Sequence, residues 1–147
     1  MAKHIVFWSV ALGVLLLDRI TKLAVLAFLP LGVSRDVGLF ALTHVRNTGT
    51  VFGLAKGAGV ILGLFALVVC AYIICNYSRF VRKEQAIAGL VFAGAAGNLI
   101  DRIWYGSVID FVDVRVWPVF NVADAAITIA IVLLLIDALR QKFERKL

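Results

Sequence analysis

The sequence predicts an all-α membrane fold of four transmembrane helices, with a small extracytoplasmic β-platform formed by the two outer loops. Three observations support this. Of the 147 residues, 63% are hydrophobic and 16% are charged, whereas about a quarter of the residues of a soluble globular domain are charged. The apolar residues form four long runs with short polar segments between them. Two of those segments are rich in β-branched and aromatic residues, which is typical of strands. At this length, residues 1–147 form one domain.

The first helix is predicted over about residues 5–28. Its uncharged run is interrupted by Asp18, Arg19 and Lys22, and then the apolar pattern resumes until Pro30. A cleaved signal peptide would instead have a short apolar core that ends at a small-residue cleavage site. We therefore expect a retained span that carries three charges in its second half.

The second and third helices are predicted over about 57–78 and 85–105. The second carries no charge and is long enough to cross about 30 Å of hydrocarbon. The third contains Gly89, Gly94 and Gly97 among several alanines. Small residues let membrane helices approach closely, so we expect this helix to be packed against its neighbours.

The two outer loops are predicted over about 30–56 and 106–120. The first contains a strand-like stretch over 38–45, and the second contains one over 107–117. Polar and glycine-containing residues after the first stretch indicate a turn back toward the membrane.

The fourth helix is predicted over about 121–139, and a basic tail follows it. Eight Lys and Arg residues lie at the two termini and in the loop between the second and third helices: Lys3, Arg79, Arg82, Lys83, Arg140, Lys142, Arg145 and Lys146. Five lie on the other side, in longer segments. The positive-inside rule then predicts that both termini are cytoplasmic and that both strand-bearing loops are outside. The net charge of +6 is explained by this placement and does not indicate nucleic-acid binding.

Two Asn-x-x-Asp pairs, Asn98 with Asp101 and Asn121 with Asp124, lie near the ends of the last two helices. This spacing puts both members of a pair on one helix face. Counting the helical rise from the cytoplasmic edges places Asp18, Asp101 and Asp124 at depths of about 20, 23 and 24 Å. A carboxylate at such a depth is costly, and therefore indicates a functional site.

Two carboxylates that share a site favour a state in which one is protonated and the other is charged. The charged acid can accept a proton from an attacking water, and the protonated acid can donate to an oxyanion or a leaving amine. The spacing therefore predicts a catalytic pair, Asp101 and Asp124, oriented by Asn98 and Asn121. The sequence shows no Cys/His cluster or phosphate-binding loop, so we expect neither a metal nor a cofactor.

Each of these residues also has a structural interpretation. Asn121 can be an N-cap with Asp124 in the first helical turn. Asp18 and Lys22, four residues apart, can form an ion pair. We favour that pair over a catalytic role, because an intramembrane acid usually has a partner.

The other acids have structural interpretations too. Asp101 can form a salt bridge with Arg102 at the rim of the membrane. Asp110 and Asp113 lie on the second predicted strand, where we expect them to be solvated or to stabilise a turn.

Five motifs follow one another along the chain: Asp18-Arg19-x-x-Lys22, Asn47-x-Gly49-x-x-Phe52-Gly53, Gly94-x-x-Gly97-Asn98-x-x-Asp101-Arg102, Val108-Ile109-Asp110-Phe111-x-Asp113 and Phe120-Asn121-x-Ala123-Asp124. In this ordered set the chain resembles bacterial lipoprotein signal peptidase, also called signal peptidase II. The resemblance implies an aspartyl endopeptidase of the bacterial inner membrane. Such an enzyme removes the signal peptide of a prolipoprotein just before a cysteine that carries a diacylglyceryl group.

The resemblance also implies roles for individual residues. Asp101 and Asp124 would be catalytic, and Asp18 and Lys22 would support the site structurally. Five residues would shape the site: Asn47, Gly49, Asn98, Arg102 and Asn121. The enzyme would act as a monomer near the outer face of the membrane, with a β-platform and a short helical arm over the site.

The chain departs from the family pattern at Thr50 and Val51, where two alanines are usual, and at Ala93, where glycine is common. These changes would narrow the cleft or alter loop geometry without removing a catalytic group. Two other functions compete with the peptidase. A small proton-coupled transporter would space its ionisable groups across the membrane and often contain repeats. A structural membrane subunit would use its charges for assembly.

Overall fold

The computed structural model describes residues 4–49 and 58–144, and its helices form a bundle with a small sheet at one end. The four helices are α1 (Ile5–Phe28), α2 (Ala58–Asn76), α3 (Arg82–Tyr105) and α4 (Val122–Glu144). The three strands are β1 (Ser34–Asp36), β2 (Ala41–Asn47) and β3 (Val108–Asp113). A 3₁₀ turn over Tyr77–Arg79 follows α2.

Three segments of the described chain are long and apolar enough to cross a membrane: Gly59–Arg79, Arg82–Tyr105 and Val122–Glu144. Helix α1 is as long as α3 but carries Asp18, Arg19 and Lys22. These three spans agree with the sequence prediction, and the first of the four predicted spans stays a prediction.

Helix α1 begins and ends at the predicted residues, whereas α3 begins earlier and α4 ends later than predicted. Helix α3 begins at Arg82, three residues before the predicted start, because the Val81 N–H donates to the Glu84 carboxylate at 3.0 Å and caps the helix. Helix α4 continues to Glu144 rather than ending near residue 139. The residues of that extension are good helix formers.

Helix α3 is the centre of the bundle and packs against α1, α2 and α4. Its glycines make this possible. A Cβ on Gly94 would lie 2.5 Å from the backbone oxygen of Ala123 in α4. A Cβ on Gly89 would lie 2.9 Å from the backbone oxygen of Phe7 in α1. The predicted close packing of this helix is therefore confirmed at both neighbours.

We expect Gly94→Ala to lower the free energy of unfolding by roughly 1–3 kcal/mol, the usual cost of overpacking a close contact. Thermal unfolding of the detergent-purified protein measures this. Gly13→Ala is the matched control, because a Cβ there meets nothing within 4 Å. Equal midpoints for the two variants would mean that α3 and α4 separate easily at this contact.

The strands form one antiparallel sheet in the order β1-β2-β3. Strand β2 pairs with β3 so that Val45 is opposite Asp110 and Asn47 is opposite Val108, with a shift of register between Leu42 and Val45. The two predicted strands are confirmed, although β2 begins and ends later than predicted and β3 ends earlier. The short strand β1 was not predicted, and Thr50 and Val51 lie outside the described residues. The described parts of the two outer loops, 30–49 and 106–120, contain no helix, so the helical arm that the resemblance implies stays a prediction.

Apolar clusters pack on both sides of the charged part of α1. One contains Phe7 and Ala11 of α1 with residues of α2 and α3. The other joins Val25 of α1 and Leu29, which follows α1, to Ile109 of β3. The sheet thus rests on the ends of the helices, and the polar residues lie just beneath it.

Candidate active site

The charged residues of α1 face α3 in the interior of the bundle. Asp18 and Lys22 are 0% and 1% exposed. The Lys22 Nζ lies 3.1 Å from Asp18 Oδ2, which confirms the ion pair predicted from their spacing. The same Nζ lies 2.8 Å from Asp101 Oδ2, so that Lys22 joins α1 to α3.

Asp101 is fully buried, and both of its carboxylate oxygens are occupied. Its Oδ1 accepts from Arg19 Nη1 at 2.7 Å. Its Oδ2 is bound by Lys22 and also accepts from the backbone N–H of Ile109 at 3.1 Å. The expected rim salt bridge with Arg102 is replaced by these contacts, and Arg102 donates instead to the backbone oxygen of Asn98 at 3.3 Å.

Asp110 lies on β3 and is 2% exposed, so the expectation that it is solvated was wrong. Its Oδ1 accepts from Asn121 Nδ2 at 2.7 Å, and its Oδ2 accepts from Asn47 Nδ2 at 2.9 Å. Burial raises the pKa of Asp110 to about 6, and the negative charge of Asp124 contributes to the increase. The two hydrogen bonds and the charge of Lys22 oppose it.

Asp124 lies in the first turn of α4 and is half-buried. Its Oδ2 accepts from the backbone N–H of Asn121 at 3.2 Å, while Asn121 Oδ1 accepts from the N–H of Asp124 at 2.9 Å. This reciprocal pair is a capping box, so the N-cap interpretation of Asn121 is confirmed. Asp124 also lines a cavity of about 330 Å³ that is otherwise formed mainly by apolar residues such as Trp117 and Phe120.

Two asparagines join the acids into one network. Asn121 contacts Asp110 through its side chain and Asp124 through its backbone N–H. Asn98 donates from Nδ2 to Asp124 Oδ1 at 2.8 Å, and its Oδ1 accepts from Lys22. The structure therefore brings Asp110 and Asp124 together around Asn121. The Asp101 carboxylate instead joins the ion pairs of α1.

Asp113, the other acid of β3, behaves as the sequence predicts. Its Oδ1 accepts from the backbone N–H of Arg115 at 2.8 Å, which stabilises the turn after the strand. Burial along β3 falls from residues 108–111 to Val112 and Asp113, which explains the difference from Asp110. Both acids stand between apolar residues in the sequence, and neighbouring side chains of a strand point to opposite faces. Local sequence therefore gives no signal that separates the two acids.

The remaining predicted site residues lie around this network. Gly49 adopts a φ of +78°, which favours glycine, and its N–H donates to Asn47 Oδ1 at 2.9 Å. Arg102 lines an apolar groove of about 640 Å³ between α2 and α3, with Gly63 and Leu67 among the lining residues. The Nε–H of Arg102 is buried and has no hydrogen-bond partner among the described residues. Within that same part of the chain, no group of three or more His, Cys, Asp or Glu side chains is placed to hold a metal ion.

A family model and the curated relatives identify one family, and a solved structure shares its fold with this chain. A family model described as signal peptidase (SPase) II matches residues 10–140. The lipoprotein signal peptidase of Syntrophomonas wolfei is 48% identical to this chain, with 88% of the chain and 90% of the relative covered. That of Thermodesulfovibrio yellowstonii is 42% identical, with 87% and 90% covered. A structure described as a bacterial membrane enzyme solved by the in meso method superposes with a TM-score of 0.83 at 28% identity, covering 92% of this chain and 88% of that chain.

Proposed function

The chain belongs to the signal peptidase II family and is an aspartic-type peptidase, and on this premise we propose that it removes the signal peptide from diacylglyceryl-modified prolipoproteins. Cleavage falls just before the lipidated cysteine. One observation carries the assignment of the site. Asp110 and Asp124 are both hydrogen-bonded to Asn121, next to a cavity that Asp124 lines.

We propose that Asp110 and Asp124 are the catalytic acids, in place of the pair Asp101 and Asp124 that the sequence predicts. A catalytic acid needs a carboxylate that can exchange a proton with water and substrate. Both oxygens of Asp101 are already held by cations and by a backbone N–H. Asp110 and Asp124 are held mainly by amide groups, which orient a carboxylate without neutralising its charge.

The two acids have different surroundings, which suggests their roles. Asp124 lies at the N-terminus of α4, where the helix dipole favours a negative charge. Asp110 is buried on β3 with a raised pKa of about 6, so it holds a proton more readily. Because the two acids are coupled, the proton belongs to the pair, and its preferred position is Asp110.

Hydrolysis then needs only water and the two acids. Asp124 takes a proton from the water as its oxygen bonds to the scissile carbonyl carbon, and Asp110 donates its proton to the carbonyl oxygen. In the second step Asp124 donates the proton to the amide nitrogen, the C–N bond breaks, and Asp110 recovers a proton from the gem-diol. The acid and amine products leave with the starting protonation of the pair restored.

The apolar groove beside Arg102 is suited to an extended apolar peptide. Its lining side chains would contact the hydrophobic residues before the cleavage site. Because the network lies under the sheet formed by the predicted outer loops, we place the site near the outer face, with both termini in the cytoplasm. We propose that the enzyme acts as a monomer in the inner membrane.

Incubation of the purified protein with a diacylglyceryl-modified prolipoprotein tests the proposal. Mass spectrometry should show a mature product that begins with the lipidated cysteine. A transition-state mimic of aspartic peptidases should block its formation. The unlipidated precursor is the matched substrate control and should be cleaved slowly or not at all. Cleavage at another residue, or equal cleavage of both precursors, would contradict the assignment.

The ionisation of Asp110 should set the alkaline limb of the kcat/KM profile, which reports groups of the free enzyme. Activity needs the protonated acid, so it should fall as the pH rises through about 6. Asn47→Leu removes a hydrogen bond that lowers the pKa of Asp110. A bond of about 1.5 kcal/mol to a charged group corresponds to roughly one pH unit, so this variant should shift the limb upward by that amount.

Thr43→Val is the control for Asn47→Leu. Thr43 lies on β2 like Asn47, but its hydroxyl donates to Asp113 and not to Asp110. The midpoint pH of the alkaline limb should be the same in Thr43→Val as in the wild type. If Asn47→Leu leaves this midpoint unchanged or lowers it, Asp110 does not govern the ionisation.

A further inference from the structure

Four charged residues of α1 and α3 form a buried cluster beneath the catalytic pair: Asp18, Arg19, Lys22 and Asp101. Arg19 contacts Asp18 at 2.6 Å and Asp101 at 2.7 Å, and Lys22 contacts the same two acids at 3.1 Å and 2.8 Å. Two positive charges thus balance two negative ones. Only Arg19 reaches the surface, with 20% of its side chain exposed. We call these four residues the buried charge cluster.

Each acid of the buried charge cluster also holds the backbone next to a proposed catalytic residue. Asp101 Oδ2 accepts from the N–H of Ile109 at 3.1 Å, and Ile109 directly precedes Asp110. Asp18 Oδ1 accepts from the N–H of Ala123 at 3.1 Å, and Ala123 directly precedes Asp124. The two anchors are equivalent although they act on a strand and on a helix. They fix the backbone from which both catalytic side chains project.

Lys22 adds a third link, through a side chain. Its Nζ donates to Asn98 Oδ1 at 3.1 Å, and Asn98 Nδ2 donates to Asp124 Oδ1 at 2.8 Å. An ammonium group can only donate hydrogen bonds. Lys22 therefore binds the amide oxygen of Asn98, to which Asn121 Nδ2 also donates at 3.1 Å, and the amide NH₂ is directed toward Asp124.

We propose that the buried charge cluster is a positioning device that fixes the distance and relative orientation of Asp110 and Asp124. This inference rests on the proposed function. Stability alone is a weak explanation, because well-packed apolar residues of similar volume often stabilise a core as well as a buried ion pair does. Apolar residues could not bind the two backbone N–H groups or orient the Asn98 amide.

The test is the double variant Asp18→Asn/Lys22→Met. It removes one charge of each sign, so Arg19 and Asp101 remain as a neutral pair, and the amide oxygen introduced at position 18 can still accept from the Ala123 N–H. We expect a thermal midpoint within about 5 °C of wild type. Asn98 Oδ1 keeps the hydrogen bond from Asn121 Nδ2 at 3.1 Å but loses the charged donor Lys22. This loss should lower kcat by roughly tenfold, as a small misplacement of catalytic groups does. The KM should stay within twofold, because the substrate groove is untouched.

The matched control is Asp137→Asn/Lys83→Met. These residues form a surface ion pair that lies outside the site, and the two changes are chemically the same. This variant should keep the wild-type kcat. The pH profile adds a second readout. Loss of the Lys22 charge, which lowers the pKa of Asp110, should move the alkaline limb upward.

The Asp18→Asn/Lys22→Met variant keeps both backbone anchors, so it tests the charge balance and the link from Lys22 to Asn98. A folded Asp18→Asn/Lys22→Met protein with wild-type kcat and pH profile would overturn the positioning role of Lys22 and of the charge balance. If this variant does not fold, Arg19→Lys is tested instead. It keeps the charge but cannot contact Asp18, Asp101 and the Gly97 oxygen together as Arg19 does. A folded Arg19→Lys protein should show a lower kcat with unchanged KM, and an unchanged kcat would equally reject positioning. Cleavage by the wild-type protein in the same assay tests the proposed function separately.

Discussion

Replacing Asp110 or Asp124 by Asn is expected to lower kcat for a lipidated precursor at least about 1000-fold, because each acid transfers a proton in the reaction. Asn has the same shape and can still accept a hydrogen bond through its amide oxygen. At position 110 the change also removes the cost of burying a carboxylate. Both variants should therefore stay folded, and the loss should reside in kcat rather than in KM.

Single-turnover cleavage of the lipidated precursor measures this effect, together with thermal unfolding of each variant. Asp113→Asn is the control on the same strand, because Asp113 binds Thr43 and the Arg115 N–H and stays outside the catalytic network. It should cleave within about twofold of wild type, as surface changes away from a site usually do. Wild-type turnover by Asp110→Asn would remove Asp110 from the catalytic pair.

The helices could be predicted from the sequence because a helix that crosses a membrane requires a long run of apolar residues. A long uncharged run has few alternatives to a spanning helix, and Pro30 and Gly106 mark where two of the helices end. The strands left a weaker signal. Strand β1 has three exposed residues, so it shows no alternation of buried and exposed positions from which it could be recognised.

The candidate site was only partly predictable, for a reason that Asp101 illustrates. Residue spacing along a helix shows which side chains share a face, but it does not show which other element supplies their partners. Asp101 is neutralised by Arg19 and Lys22, which are about eighty residues away in the sequence. The helical rise predicts similar depths for Asp18, Asp101 and Asp124, and Asp18 and Asp101 do share Arg19 and Lys22. A common depth, however, does not distinguish an ion pair from a catalytic pair.

Asn121 and Asp124 show that a structural and a functional interpretation can both hold. Their reciprocal hydrogen bonds cap α4, as helix-capping preferences predict. The same bonds leave the Asn121 side-chain NH₂ directed at Asp110 and the Asp124 Oδ1 bound to Asn98. The cap is therefore the element that brings strand and helix acids together.

Asp101→Asn is expected to reduce stability strongly. The buried charge cluster would keep two cations and one anion, and an uncompensated buried charge costs about 3–5 kcal/mol. The yield of folded protein and its thermal midpoint should both fall. The folded fraction should still cleave the precursor far faster than Asp110→Asn does, because Asp101 transfers no proton in the proposed reaction.

A second change separates the loss of charge balance from the loss of a catalytic group. In Asp101→Asn/Lys22→Met the cluster is neutral again, since Arg19 and Asp18 remain paired at 2.6 Å. The thermal midpoint should recover most of the loss, while kcat stays reduced because the charged donor to Asn98 is missing and only Asn121 Nδ2 still donates to that oxygen. Active-site titration with a tight-binding transition-state mimic gives kcat per folded molecule. If this neutral, folded protein were as inactive as Asp110→Asn, then Asp101 would have to transfer a proton, and the pair predicted from the sequence would be the catalytic one.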